Sequence, residues 1–224
     1  MKLVLLGAPG SGKGTQAQRL AKTHGLAQLS TGDILRAAVR AGTAVGRKAE
    51  AIMKRGELVP DEVVVAIIGE RLAEADCARG FVFDGFPRTE AQAVALDAML
   101  AKGGQRLTMV IELKVDEAAL VGRVAGRFSC VKCGAAYHDT NHRPTREGVC
   151  DRCGGHEFQR RPDDNAETMT ARLDAYRRQT APLLPYYRKR GLLKVVDAMA
   201  DIGKVTEEIE GDGSVDDLRV LSAD

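Results

Sequence analysis

The chain opens with Leu3-Val4-Leu5-Leu6 and runs directly into Gly7-Ala8-Pro9-Gly10-Ser11-Gly12-Lys13-Gly14-Thr15. A short unbroken apolar run marks a strand buried on both faces, as in a parallel sheet. The glycines that follow let backbone N–H groups converge on phosphate oxygens without Cβ obstruction. A helix starting at Lys13 adds the positive potential of its N-terminus. Lys13 then sets an ammonium among the terminal phosphates, and strand–loop–helix is the context such a loop requires. The general pattern has Ser or Thr directly after the Lys. Gly14 stands there instead, which leaves Thr15 as the hydroxyl for Mg²⁺. The competing reading is a plain Gly-rich turn, and a Lys at the required spacing argues against it.

Outward from this loop the pattern repeats. Short apolar runs at 81–83, 109–113 and 193–196 predict further strands, the first ending at Asp84-Gly85. Residues 13–23, 62–75 and 90–101 predict helices between them. Such alternation predicts an open parallel sheet with helices on both faces. Two segments break the rhythm: residues 30–59 are helical with little strand signal, and residues 126–163 are rich in Cys, Gly, Arg and His. Both read as insertions beside the C-terminal ends of the strands, where ligands bind in such sheets. The tail after Gly211 is polar and receives no assignment.

Composition sets outer limits. The chain has 224 residues, 44% of them hydrophobic, which suffices for one core with a small satellite. It lacks Trp and is only 4% aromatic, so aliphatic side chains must fill most of that core. A net charge of +2 gives no pointer to nucleic acid or a membrane surface. Neither a signal-peptide core nor 18 uninterrupted apolar residues occurs, so the expectation is a cytoplasmic protein.

With GAPGSGKGT at 7–15, STGDILR at 30–36 and DGFPRT at 84–89 in this order, the chain resembles the adenylate kinase family over residues 1–210. The resemblance implies an α/β, P-loop nucleoside monophosphate kinase-like fold, a central parallel sheet flanked by helices with two mobile insertions. It implies a core of residues 1–29, 60–125 and 164–224, an AMP-binding insertion at 30–59 and a zinc-ribbon lid at 126–163. The implied reaction is ATP + AMP ⇌ 2 ADP with Mg²⁺, carried out by a monomer whose insertions close and exclude water.

Bringing two polyanions together calls for several guanidinium groups from separate segments, since their planar forks match phosphate oxygens. By the resemblance, Arg36 and Arg88 hold the AMP phosphate, Arg123 packs on the ATP adenine, and Arg127, Arg161 and Arg172 gather round the transferring group. Arg123 and Arg127, spaced i, i+4, are expected to share one face of a helix. Arg160 competes with its neighbour Arg161, and the register with the following acids favours Arg161. Gly10, Ser11, Gly12, Lys13, Gly14 and Thr15 are assigned to ATP. The resemblance also implies AMP contacts from Thr31, Glu57, Leu58, Val59, Gly85 and Gln92, and the Gln92 amide carries both donor and acceptor for an adenine edge. Asp84, an acid at a strand end, is expected to act on Mg²⁺ through water, or else to serve as a turn acid. Asp163 and Asp164 are expected to orient arginines or to be surface acids.

Cys130-x-x-Cys133 and Cys150-x-x-Cys153, with 16 residues between the pairs, read as a closed tetrahedral Zn²⁺ site that is structural rather than catalytic. A redox dithiol pair and iron in place of zinc are the alternatives. The Gly after each pair admits the backbone angles such a turn needs. His138, His142 and His156 read as surface or lid residues, and Cys77 as a partly buried structural thiol. Other readings of the whole chain are a UMP/CMP kinase, a GTP-dependent AMP kinase, or a zinc-ribbon nucleic-acid-binding protein. Thr31 with Gln92 favours AMP. Against nucleic acid, Phe128, Tyr137 and Phe158 are scattered rather than adjacent, whereas base stacking wants a platform.

Overall fold

The computed structural model describes residues 1–211, so the tail beyond Gly211 lies outside it. Strands β1 (Lys2–Leu6), β2 (Ala27–Ser30), β3 (Phe81–Asp84), β4 (Met109–Lys114) and β8 (Leu193–Asp197) form one sheet in the order β2-β3-β1-β4-β8. Every pairing in it is parallel. Side chains alternate across the sheet. Val4, Leu6, Phe81 and Phe83 pack into one apolar cluster, while Leu3, Leu5 and Val82 pack into another. That is why the strands read as unbroken apolar runs.

Strand β2 was not expected. Its four residues contain only two apolar side chains, yet Ala27 and Leu29 are buried and it pairs with β3 from Ala27↔Phe81 to Ser30↔Asp84. Pairing with an apolar neighbour, rather than its own composition, makes it a strand. Sheet structure therefore runs through Ser30, one residue past the expected boundary of the first insertion. Ser30 also caps helix α2 (Thr31–Arg40), its hydroxyl accepting from Asp33 N–H at 3.3 Å.

Helix α1 (Lys13–His24) starts at the loop, and α3 (Ala44–Lys54) continues the first insertion. Helix α4 (Asp61–Leu72) stops three residues short of the expected end, and a 3₁₀ turn over Ala75–Arg79 follows. Cys77 in that turn is buried, and its sulfur meets the Arg71 guanidinium at 3.1 Å. Helix α5 (Glu90–Lys102) is capped by Thr89.

Helix α6 (Glu117–Ala125) leads into an antiparallel ribbon of β5 (Arg127–Cys130), β6 (Ala136–His138) and β7 (Phe158–Gln159), ordered β6-β5-β7. This overturns the expectation that Arg123 and Arg127 share a helix face. The helix ends at Ala125, and Arg127 instead pairs with His138 across the ribbon. Gly126 allows the break: a Cβ there would lie 2.5 Å from the His138 ring. Helices α7 (Ala166–Ala175), α8 (Leu183–Lys189) and α9 (Ile202–Glu210) complete the fold. Among the described residues no helix is long and apolar enough to cross a membrane.

Candidate active site

The C-terminal ends of β1, β2 and β3 open onto a cleft of about 570 Å³. The chain leaves β1 through a loop whose Gly7, Gly10 and Gly12 have φ of 147°, 87° and 92°, a region that L side chains rarely adopt. A Cβ on Gly7 would also lie 2.6 Å from Ser11 Oγ. Lys13 Nζ donates to the carbonyls of Gly7 at 2.7 Å and Ala8 at 2.9 Å, which holds the ammonium inside the loop. Gly14 is explained by what faces it: a Cβ there would sit 3.1 Å from Asp84 Oδ2. A Ser or Thr at that place would crowd the carboxylate at the end of β3. Thr15, in the first turn of α1, lines the same cleft.

All six predicted arginines line this cleft, with Gly10, Ser11, Gly12, Lys13, Gly14, Thr15, Asp84 and Gly85. Arg127 Nε and Nη2 donate to the two oxygens of Asp164 at 2.8 and 2.5 Å. Arg172 Nη1 lies 3.0 Å from Asp163 Oδ2 and 3.1 Å from Asp164 Oδ1. The two acids thus orient arginines. Arg36 meets Asp33 Oδ1 at 2.5 Å, and Arg161 reaches the same oxygen at 3.6 Å. Arg160 points elsewhere: it pairs with Asp139 at 2.8 Å and donates to Ala125 O at the end of α6. Arg123 Nη1 donates to Ala198 O at 3.0 Å, joining α6 to the segment after β8.

On the other side Arg88 Nε and Thr31 Oγ1 both donate to Gly85 O, at 2.8 and 2.7 Å. Gly85 has φ of 81°, and a Cβ on it would lie 2.8 Å from Arg88 Nη2. Thr31, Arg36, Glu57, Leu58, Val59, Gly85, Arg88, Gln92 and Arg172 line a smaller adjoining pocket of about 70 Å³. The carboxylate of Glu57 turns to Arg55 at 2.7 Å.

The cations are buried and crowded, and both effects shift their protonation equilibria. Burial chiefly lowers Lys13 to about 7; Asp84 pulls it up, and Arg88, Arg172 and Arg127 push it down. Burial, then Arg172, brings Arg88 to about 10. Burial, then Arg127 and Arg36, does the same to Arg161. At Arg127 burial is outweighed by its hydrogen bonds and charge pairing with Asp164, so its pKa rises. Burial would raise Asp33, but Arg36 and Arg161 hold it below the usual carboxylate range. Fixed positive charge that lacks full compensation is preorganised for anionic oxygens.

Sequence reasoning missed several residues that line the cleft. His138 and His142 do so from the ribbon, and Met199, Ala200 and Ile202 from the segment after β8. Nothing local marks them, because the ribbon's fold brings the histidines there. Phe128, Tyr137 and Phe158, scattered in sequence, meet with ring centroids 5.6–5.7 Å apart. They pack on one another, and Tyr137 is buried.

The sulfurs of Cys130, Cys133, Cys150 and Cys153 all lie within 4.8 Å of one another. Two of the separations are 3.6 and 3.5 Å, against about 3.8 Å for the edge of a tetrahedron with metal–sulfur bonds of ~2.3 Å. Gly134 and Gly154 have φ of 72° and 66°, and their N–H groups donate to Cys130 O and Cys150 O at 2.9 Å. Tyr137 donates its hydroxyl to Cys150 Sγ at 3.4 Å. The donor set fits a tetrahedral ion.

A parallel sheet with a phosphate loop at its switch point and arginines across the cleft has the architecture of the P-loop nucleoside monophosphate kinases. A family model described as adenylate kinase matches residues 5–192. A protein named adenylate kinase from Paramagnetospirillum magneticum is 62% identical over 94% of this chain and 97% of its own length. One of the same name from Rhizobium etli is 58% identical, and one from Novosphingobium aromaticivorans 56%, each over 94% of this chain and 97% of its own length. The chain belongs to the adenylate kinase family.

Proposed function

We propose that this protein transfers a phosphoryl group reversibly between ATP and AMP, giving two ADP, without a covalent intermediate. The observation that carries the reading is one cleft in which the Lys13 loop faces Arg36, Arg88, Arg127, Arg161 and Arg172. Phosphoryl transfer asks the protein mainly to position two anions and neutralise developing charge. Lys13 and the loop N–H groups hold the donor phosphates, and Arg123 flanks the donor base. Arg36 and Arg88 hold the acceptor phosphate, with Thr31 and Gln92 at its base. Arg127, Arg161 and Arg172 stand over the reacting group, and Asp163 and Asp164 keep two of them oriented. Mg²⁺ accompanying ATP would offset phosphate charge, and Asp84, beside the loop, is the carboxylate that would hold it through water.

In this reading residues 30–59 close over AMP and residues 126–163 form a lid over ATP, keeping water from competing as acceptor. The four cysteines bind Zn²⁺. All four positions are taken by protein, so the ion has a structural role. The protein acts as a cytoplasmic monomer that meets neither nucleic acid nor membrane.

The reading is tested by a panel of donors and acceptors: ATP and GTP, each against AMP, CMP, UMP and GMP. The expected result is transfer from ATP to AMP with the highest kcat/KM in the panel. Preference for CMP or UMP would replace it with a pyrimidine kinase.

A further inference from the structure

One carboxylate on the acceptor side holds two side chains at the edge of the smaller pocket. Asp61, at the first position of α4, accepts a hydrogen bond from Gln92 Nε2 at 2.7 Å on one oxygen and from Thr89 Oγ1 at 2.8 Å on the other. Thr89 is itself fixed, since its hydroxyl also accepts the Gln92 N–H as the cap of α5. Gln92 is 1% exposed, and its Oε1 accepts the Arg88 N–H at 2.8 Å.

A primary amide offers two N–H donors and two acceptor lone pairs. Here the nitrogen end faces an acceptor and the oxygen end faces a donor. Turned over, the amide would set Oε1 against the Asp61 carboxylate and its N–H groups against the Arg88 N–H. Each contact would then be repulsive in a buried place, where an unmet polar group is costly. One N–H and one lone pair remain for a ligand in the adjoining pocket, in a fixed order. A 6-aminopurine matches that order, because its amino group donates and the neighbouring ring nitrogen accepts. A 6-oxopurine carries an acceptor oxygen beside a ring N–H and asks for the amide turned over.

We infer that Asp61 is a specificity-determining positioning residue: it holds the Gln92 side-chain amide in the orientation that accepts a 6-aminopurine monophosphate and rejects a 6-oxopurine one. The inference rests on the AMP-acceptor reading above. Arg88 N–H secures only the oxygen end of the amide, whereas Asp61 secures the nitrogen end. An Asn at position 61 has both donor and acceptor and tolerates either orientation.

The experiment measures kcat and KM with AMP and with inosine 5′-monophosphate, ATP being the donor. The proteins are the wild type, Asp61→Asn, Gln92→Ala and the double variant. Asp61→Asn is expected to reduce the AMP-over-inosine-monophosphate ratio of kcat/KM about tenfold, the effect of one charge-assisted hydrogen bond. The change should fall mainly on the AMP KM, with the ATP KM unmoved. In the Gln92→Ala background the same substitution should leave the ratio unchanged. A residue that merely ties α4 to α5 would lower kcat for both acceptors alike and keep the ratio. An unchanged ratio in Asp61→Asn, or an equal drop without Gln92, overturns the inference. Asp61→Ser gives the same comparison if Asp61→Asn does not fold. A wild type that transfers nothing to AMP overturns the reading beneath it as well, whereas an AMP-selective wild type indifferent to Asp61 overturns this inference alone.

Discussion

Lys13 and Arg127 face the same cleft from regions held together by different physics. Lys13 stands on a sheet whose Leu3, Val4, Leu5, Phe83 and Ile111 are fully buried, and water exclusion from those side chains fixes the loop above them. Arg127 begins β5, in a ribbon whose buried cluster is Cys130, Ala135, Tyr137 and Cys150. Two of those four residues are cysteines. A segment this short buries little apolar surface to set against its own chain entropy, and the Zn²⁺ proposed above would supply the difference. One cleft thus draws its cations from an apolar core on one side and from a ribbon built round four clustered cysteines on the other.

Metal removal probes this contrast most strongly. Structural zinc contributes on the order of 10 kcal/mol to small domains that depend on it. Chelation, or Cys153→Ser, should therefore abolish bound zinc and strip hydrogen-exchange protection from residues 127–159. Protection in β1, β3 and β4 should survive. A ribbon equally protected without metal would remove the distinction between the two regions.

A second prediction touches the chemistry and neither fold. Lys13→Met should lower kcat by about 100-fold or more, since the lost charge acts mainly on the transition state. The melting temperature and zinc content should stay near wild type. A variant with near-normal kcat contradicts the role given to Lys13.

The smallest effect is a proton. With Lys13 lowered to about 7 in the free protein, arriving phosphates raise its pKa. Between about pH 7 and its ordinary value of 10.5 the bound state then holds more of the proton than the free state. ATP binding should take up a fraction of a proton in that window, and affinity should fall as pH rises through it. Calorimetry at pH 8.5 in two buffers of different ionisation enthalpy reads the uptake directly. Lys13→Met should reduce it, and equal uptake in the variant would place the titrating group elsewhere.

What was legible in the sequence follows from how local each feature is. The phosphate loop reads off the chain because strand, glycines, Lys13 and helix lie within two dozen residues. The cysteine knuckles read off for the same reason. Arg36, Arg88, Arg161 and Arg172 stand out only through family-like motifs and spacing, since no periodicity reveals that α2, α7 and the segments after β3 and β7 line one cleft. Strand β2 escaped because its pairing with β3 joins residues some fifty positions apart. The helical placement of Arg127 failed because i, i+4 spacing cannot see Gly126 packed on the His138 ring. The Asp61–Gln92 bond spans 31 positions between two helices, and only the fold brings it about.

The most direct test of the central claim is a product count with purified protein, ATP, Mg²⁺ and varied AMP. Two ADP should form for each ATP consumed, with no inorganic phosphate released and no ATP loss when AMP is left out. Steady release of phosphate with or without AMP, or ADP formation that ignores AMP, would contradict the account.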